Sequence, residues 1–406
     1  MATLGQELVR RGHRVSLVGS PWAQGKAVAC GFEFIPIGLA EHESGQAQAD
    51  LDELARMKGL AALRFTAKLL QKAMVIFLRD APDQFRARGV QAVLVDQVSP
   101  AAAALAEVLK LPFVIVCNAL AMHQEAAIPP AILLWRYRPG PLGRLRNRLG
   151  NAVLTLATRP MRRTLSEYRR KEGLTASESR DPHSLGLIQI AQQPDFFDFP
   201  RRGLPTHFHY TGPWHAPQRD TETTAFPWEK LDGRPLIYAS LGTIQNQLQQ
   251  VFHAILDGCA ALPVQVVLSL GRKDATWNHP TPANAIVVPF APQLKLLERA
   301  RVLITHAGLN TTLEGLTQGL PMLCLPVTND QPGVARRVEW LGLGEVMTPG
   351  RATAARIGKV VEKLLTEERY RAAGEQCRAR LKGNPGVVRA ADLVEQVFHT
   401  GKRLDR

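Results

Sequence analysis

Three side chains spaced four apart, His306, Asn310 and Glu314, frame the most chemically informative stretch of this 406-residue chain. A short apolar run from Ala300 to Thr305 ends in His306-Ala307-Gly308, and Asn310-Thr311-Thr312 then open a helical pattern carried by Leu313, Leu316 and Leu320. That order reads as strand, tight turn and helix N-terminus. A helix N-terminus offers unpaired N–H groups and the positive end of the macrodipole; small residues such as Gly308 let the backbone approach an anion, and Asn310 and Thr311 add donors. His306, Asn310 and Glu314 share one face of the helix and its lead-in. A cation or donor beside phosphate, with an acid one turn further, suits a diphosphate that carries a ribose diol.

Other polar groups fall at the ends of apolar runs. Pro235 to Ala239 reads as a strand, and Ser240-Leu241-Gly242-Thr243 as a phosphate-proximal turn before a helix. After Pro321, the run Met322 to Val327 closes in Thr328-Asn329-Asp330-Gln331, at the strand end where open α/β sheets bind ligands. In the first half, Gly89 to Val95 reads as a buried strand ending at Asp96, with a helix from Ala101 to Leu109 and the next strand from Leu111 to Cys117. Asp96 either reaches a ligand cleft or caps the helix at Ser99-Pro100. The loop from Asn118 to Pro130 lies over the same cleft, where Asn118, Met122 and His123 either line an acceptor pocket or simply cover it. Taken singly, the other residues have plain readings too: His306 as a satisfied strand-end histidine, Asn310 and Thr311 as ordinary caps, Glu314 as part of a solvated helix face.

In combination, F-x-P-Q from Phe290 to Gln293, H-x-G-x-N-T-x-x-E from His306 to Glu314, G-x-P from Gly319 and D-Q at Asp330-Gln331 resemble the nucleotide-sugar signature of family-one glycosyltransferases, the UDP-glycosyltransferase superfamily. The resemblance covers most of the chain. It implies the GT-B fold: α/β, two Rossmann-like doubly wound domains facing across a cleft, with the donor on the second and the acceptor on the first. Residue by residue, it implies that Phe290 stacks on uracil where plant members usually have Trp, and that Gln293 faces the base or ribose. It gives Glu314 the ribose hydroxyls, His306, Asn310 and Thr311 the diphosphate, and Asp330 with Gln331 the sugar. Asp96 would orient a catalytic histidine. The implied reaction is inverting transfer of a hexose, by a weak analogy glucose, from a UDP-sugar to a hydroxyl of an apolar acceptor, with no cofactor and no metal. The texture of VDQVSPAAAALAEVLKLPFVIVCNAL resembles the bacterial carotenoid (zeaxanthin-type) glucosyltransferases. A GT-B nucleotide-sugar epimerase and a catalytically silent UDP-sugar-binding protein remain alternatives.

The elements that would position these groups divide into residues 1–212 as the acceptor-binding domain, 213–388 as the nucleotide-sugar domain, and a C-terminal helix, 389–406, packing back on the first. A doubly wound domain opening on a helix is unusual, since the helix needs a preceding strand to pack on. The resemblance places Arg11-Gly12-His13-Arg14-Val15 just after that helix, so the first strand and the catalytic base are expected to precede Met1. His13, at a helix-to-strand junction, reads as structural. Asp50-Leu51-Asp52 matches a metal-binding D-x-D, but it precedes a helical pattern (Leu54 to Phe77) without a flanking strand and is discounted.

A formal net charge of +14 is high for a small-molecule enzyme, and most of it is local. Between Arg136 and Glu172, ten arginines and Lys171 face only Glu167 and Glu172, a net +9. Leucines 142, 145 and 149 with Val153 or Leu154 make residues 136–172 a basic amphipathic pattern, interrupted by Pro139, Pro141 and Pro160. It reads equally as a membrane-surface segment and as a solvated helix over the acceptor cleft. No aromatic-interleaved patch accompanies the charge, so nucleic acid is not an expected partner. Five dispersed cysteines, the polar start and the lack of a long apolar run predict a cytoplasmic protein, membrane-associated only under the first of those two readings of the segment.

Overall fold

Short apolar runs alternating with helical patterns demand parallel pairing, because each crossover helix must cover a sheet face. All ladders of the computed structural model, which describes residues 1–57, 59–174, 186–215, 225–242, 248–272 and 275–406, run parallel. The first half holds β1 (Ser16–Gly19) and β2 (Glu33–Pro36) as one pair, and β3 (Val93–Asp96), β4 (Phe113–Cys117), β5 (Gln189–Ala191) and β6 (Phe208–Tyr210) as a sheet in that order. The second half holds β7 (Leu236–Ser240), β8 (Gln265–Ser269), β9 (Ala285–Val288), β10 (Ala300–Thr305), β11 (Met322–Cys324) and β12 (Gly344–Val346). Their order, β12-β11-β10-β7-β8-β9, is that of a doubly wound dinucleotide-type sheet, with its switch point between β7 and β10.

The second sheet is buried on both faces, which is why its strands read as unbroken apolar runs. Ile237, Ala239, Val302 and Ile304 pack against the helices Gln249–Cys259 and Ala354–Thr366. Tyr238, Leu303 and Met322 pack on the other face against Leu309–Gln318 and Gln331–Trp340. The first sheet repeats the scheme. Val114, Val116, Ile188 and Ile190 meet Leu4 and Leu8 of the helix Ala2–Arg10 together with Ala390, Val394 and Val397 of the C-terminal helix Gly386–Thr400, while Phe113 and Ile115 face Ala102, Ala103 and Ala106. Arg11 clamps the C-terminal helix through Asp392 and Glu395, and His13 Nε2 lies 2.8 Å from Glu395 Oε1, a structural role for that histidine.

Among the described residues no ladder joins β1 to β3; a cavity of about 1980 Å³ lined by Ser16, Leu17, Val93 and Leu94 separates them. Two local expectations need correction. The long helix is Gly59–Ala87 and runs through Pro82, because Leu78, Ala81 and Phe85 around the proline are buried and their burial outweighs one missing hydrogen bond. Asp50 and Asp52 do not precede a helix but lie inside one, Gln46–Arg56, and Asp50 accepts from Lys72 Nζ at 2.6 Å.

Candidate donor and acceptor site

The switch point creates the crevice. β7 and β10 end side by side, with Thr305 opposite Ser240, so the turns after both strands open at one place. Gly242 has φ +81°, a conformation that favours glycine, and its N–H lies 3.5 Å from Ser240 Oγ. Thr243 lies outside the described residues. The ring of His306 sits between the two glycines: a Cβ on Gly242 would be 2.7 Å from His306 Cε1, and one on Gly308 would be 2.5 Å from Nε2. Burial pushes the imidazole down to about 4, with a hydrogen bond to the Ser240 backbone pulling weakly upward. His306 is thus a neutral donor at pH 7 and not the cation that the spacing also allowed. Gly308 is the N-cap of Leu309–Gln318, in extended conformation, and Asn310 and Thr311 stand in its first turn.

Behind this turn a polar relay fixes the acid. Buried Tyr238 donates through its hydroxyl to Gln293 Oε1 at 3.2 Å, which turns the Gln293 amide so that Nε2 donates to Thr311 Oγ1 at 3.2 Å and to the Glu314 carboxylate. Glu314 is therefore a buried, oriented acceptor and not the solvated helix face of its plain reading. Half-buried Phe290 precedes the short helix Gln293–Leu297 that carries this relay.

The first half is tied to the second through a backbone contact. Asp330 Oδ2 accepts from Leu120 N at 3.0 Å; burial raises the Asp330 carboxyl, and that N–H opposes the rise. Gln331 Oε1 accepts from the N–H groups of Val327 and Thr328 at 2.9 and 3.0 Å, so its carbonyl is spent on the loop and only its amide N–H groups are left for a ligand. Asp96 accepts from Asn118 Nδ2 at 2.8 Å and from Val98 N at 3.1 Å. The large cavity runs from the gap beside β3 past Asp96 and Asn118 to Asn310 and Glu314, bringing both halves' polar residues to one space. Met122, 46 % exposed, and His123 are not part of its lining. His123 is buried edge-on against Phe208, because the small core beneath its loop takes up the ring.

Three further glutamines, Gln97, Gln192 and Gln193, are not among the residues that the sequence reading names. Gln192, just after β5, donates to Asn118 O and, at 2.9 Å, to Asn310 Oδ1, bridging the acceptor loop to the donor helix. Gln97 and Gln193 hold the backbone of Leu120, Ala121 and Met122. Gln192-Gln193 directly after the strand-like Ile188-Gln189-Ile190-Ala191 is the strand-end signal that marks those two.

The model of the UDP-glucoronosyl and UDP-glucosyl transferase family matches residues 4–374. Zeaxanthin glucosyltransferase from Pantoea ananas is 32% identical over 99% of this chain and 93% of its own length, and that from Pseudescherichia vulneris 30% identical over 97% and 94%. Among solved structures, the glycotransferase of kitacinnamycin superposes with a TM-score of 0.76 at 23% identity, covering 97% of this chain and 94% of that one, and shares its GT-B fold. A nucleotide-type crevice facing a second Rossmann-like half and a family match along nearly the whole sequence agree: the chain belongs to the UDP-glucoronosyl and UDP-glucosyl transferase family.

Proposed function

We propose that this UDP-sugar-dependent glycosyltransferase moves glucose, with inversion and without a metal, to a hydroxyl of an apolar acceptor of the carotenoid-diol type. The observation that carries the donor half is the Tyr238–Gln293–Glu314 relay, which presents an oriented carboxylate one helical turn beyond an anion-binding N-terminus. In this reading Glu314 accepts from the ribose diol, Phe290 stacks on the base, and the diphosphate lies on the first-turn N–H groups with His306, Asn310, Thr311, Ser240 and Gly242 around it. Asp330 and the Gln331 amide bind the sugar. The acceptor oxygen attacks the anomeric carbon as the bond to the diphosphate breaks, so configuration inverts in one displacement. The acceptor proton passes to a base that Asp96 orients, and the helix N-terminus takes the charge growing on the departing UDP.

The acceptor class is supported by the names of the two zeaxanthin glucosyltransferases and by the apolar walls of the cavity beside Asp96. Peripheral contact of residues 136–172 with a membrane belongs to the same reading, since such an acceptor dissolves in lipid; among the described residues no helix is long and apolar enough to cross one. Five dispersed cysteines, with no disulfide among the described residues, suit a reducing compartment. The test is UDP release from UDP-glucose over a panel of hydroxylated acceptors, carotenoid diols included. Acceptor-dependent release with a β-linked glucoside as product is expected; an isomerised nucleotide sugar formed without any acceptor would replace transfer by epimerisation.

A further inference from the structure

The helix Pro141–Ala157 turns its apolar stripe to solvent. It touches the body through Gly143, Asn147 and Gly150, which are buried and spaced four and three apart. Asn147 Nδ2 donates to Ala126 O at 3.0 Å, and a Cβ on Gly150 would lie 2.8 Å from the Trp135 ring, so the small residues are what permits this close docking. The opposite stripe, Leu142, Leu145, Leu149, Val153 and Leu156, recurs at spacings of three and four and is between 55 and 85 % exposed. It extends for about 21 Å along the helix axis. Solvated helices do not place five large aliphatic side chains in one continuous outward line, and the glycine contacts prevent the helix from rolling them inward.

The charge around the stripe identifies what covers it. Arg144 and Arg148 are exposed on the same helix, Arg159 begins the next one, Arg159–Lys171, and among the described residues none of the three has an acidic partner. A second copy of the chain would set one net +9 segment against another, which repels. An anionic bilayer meets both requirements, with acyl chains for the leucines and headgroup phosphates for the arginines. The helix also holds the segment from Ala126 to Trp135, in which Ala131 O accepts from Gly333 N of the donor-side helix Gln331–Trp340 at 2.8 Å, so a bilayer on this stripe lies beside the acceptor loop.

We propose that the Leu142–Leu156 stripe inserts into the headgroup–acyl boundary of an anionic membrane, so that the contact is made by apolar insertion and not by charge alone; the purpose given to it, supply of a lipid-dissolved acceptor, rests on the functional reading above. The test is co-sedimentation of the whole protein with vesicles of phosphatidylcholine and phosphatidylglycerol at low and high salt. Leu145→Ser/Leu149→Ser/Val153→Ser should lower partitioning roughly tenfold or more at both salt levels. Arg144→Gln/Arg148→Gln should lower it at low salt and much less at high salt. Both variants change exposed side chains, and unchanged melting and unchanged UDP affinity establish that they fold. Undiminished vesicle binding by the serine variant overturns the proposal. So does a wild-type dimer in sedimentation velocity that the serine variant splits, since a second copy then covers the stripe. Failure of sugar transfer with vesicle insertion intact would count against the functional reading and leave the insertion standing.

Discussion

His306 sits between the turns after β7 and β10 as a neutral ring, and its titration is a measurable property of the fold. Its folded value of about 4 lies below the ordinary 6.5, so between those values the unfolded chain holds the extra proton. Stability from this group is fully present above pH 6.5 and is lost as pH falls toward 4, by about 1–3 kcal/mol. His306→Gln should flatten that part of the curve of urea midpoint against pH; His209 and His215, also lowered by burial, keep part of the slope. A variant curve parallel to the wild type would show that the histidine is not held neutral. At this scale the sequence was informative wherever the geometry was local. The turn after β10 and the start of the next helix lie within nine residues from His306 to Glu314, so spacing alone places His306, Asn310 and Glu314 on one face. Gln192 is invisible because its partner Asn310 lies 118 positions away, and His123 stays open between lining and covering because a ring at the start of a loop can point to the cleft or to the core beneath it; it packs on Phe208.

The two turns that clasp His306 shape the crevice between β7 and β10. Gly242 needs both its positive φ and its missing side chain, so Gly242→Ala carries backbone strain and pushes on a ring 2.7 Å from the new methyl. A loss of roughly 1–3 kcal/mol in UDP binding is expected, seen as a raised Kd with the melting temperature lowered. An alanine variant with wild-type UDP affinity would mean that the turn after β7 does not shape the site. Element existence was readable from periodicity, because strands buried on both faces stay apolar throughout. Element ends were not: Pro82 looks like a stop, yet it is carried through by the buried neighbours Ala81 and Phe85. The stripe of Pro141–Ala157 was legible as amphipathic, but no pattern in one sequence says which face docks; the close approach of Gly150 to Trp135 decides that.

The whole molecule is held in register by a buried ionic cluster between its halves. Asp198, after β5, accepts from Arg337 Nε and Nη2 at 2.9 and 2.6 Å and from Arg201 Nε at 2.7 Å, and Arg337 also stacks over Phe199. Burial raises the Asp198 carboxyl, but the two guanidiniums outweigh it and hold the group at about 2. Asp198→Asn leaves Arg337 charged and unpaired in the interior, which should cost about 3–5 kcal/mol and lower the denaturation midpoint accordingly. A change of less than about 1 kcal/mol would mean that water reaches the cluster. The Asp198–Arg337 contact joins residues 139 positions apart, so no local pattern marks it. The same cluster reaches the loop after β4, since Arg201 Nη1 and Nη2 donate to His123 O and Ala121 O at 2.8 and 3.0 Å. The central claim, that the β7–β10 crevice is the UDP-sugar site, is tested most directly by calorimetric titration of UDP into the wild-type protein and Glu314→Ala. One UDP bound per chain and an affinity about 10- to 150-fold weaker in a folded variant is the predicted result, from loss of a charge-assisted bond to the ribose. Equal affinities in the two proteins, or no UDP binding by the wild type, would contradict it.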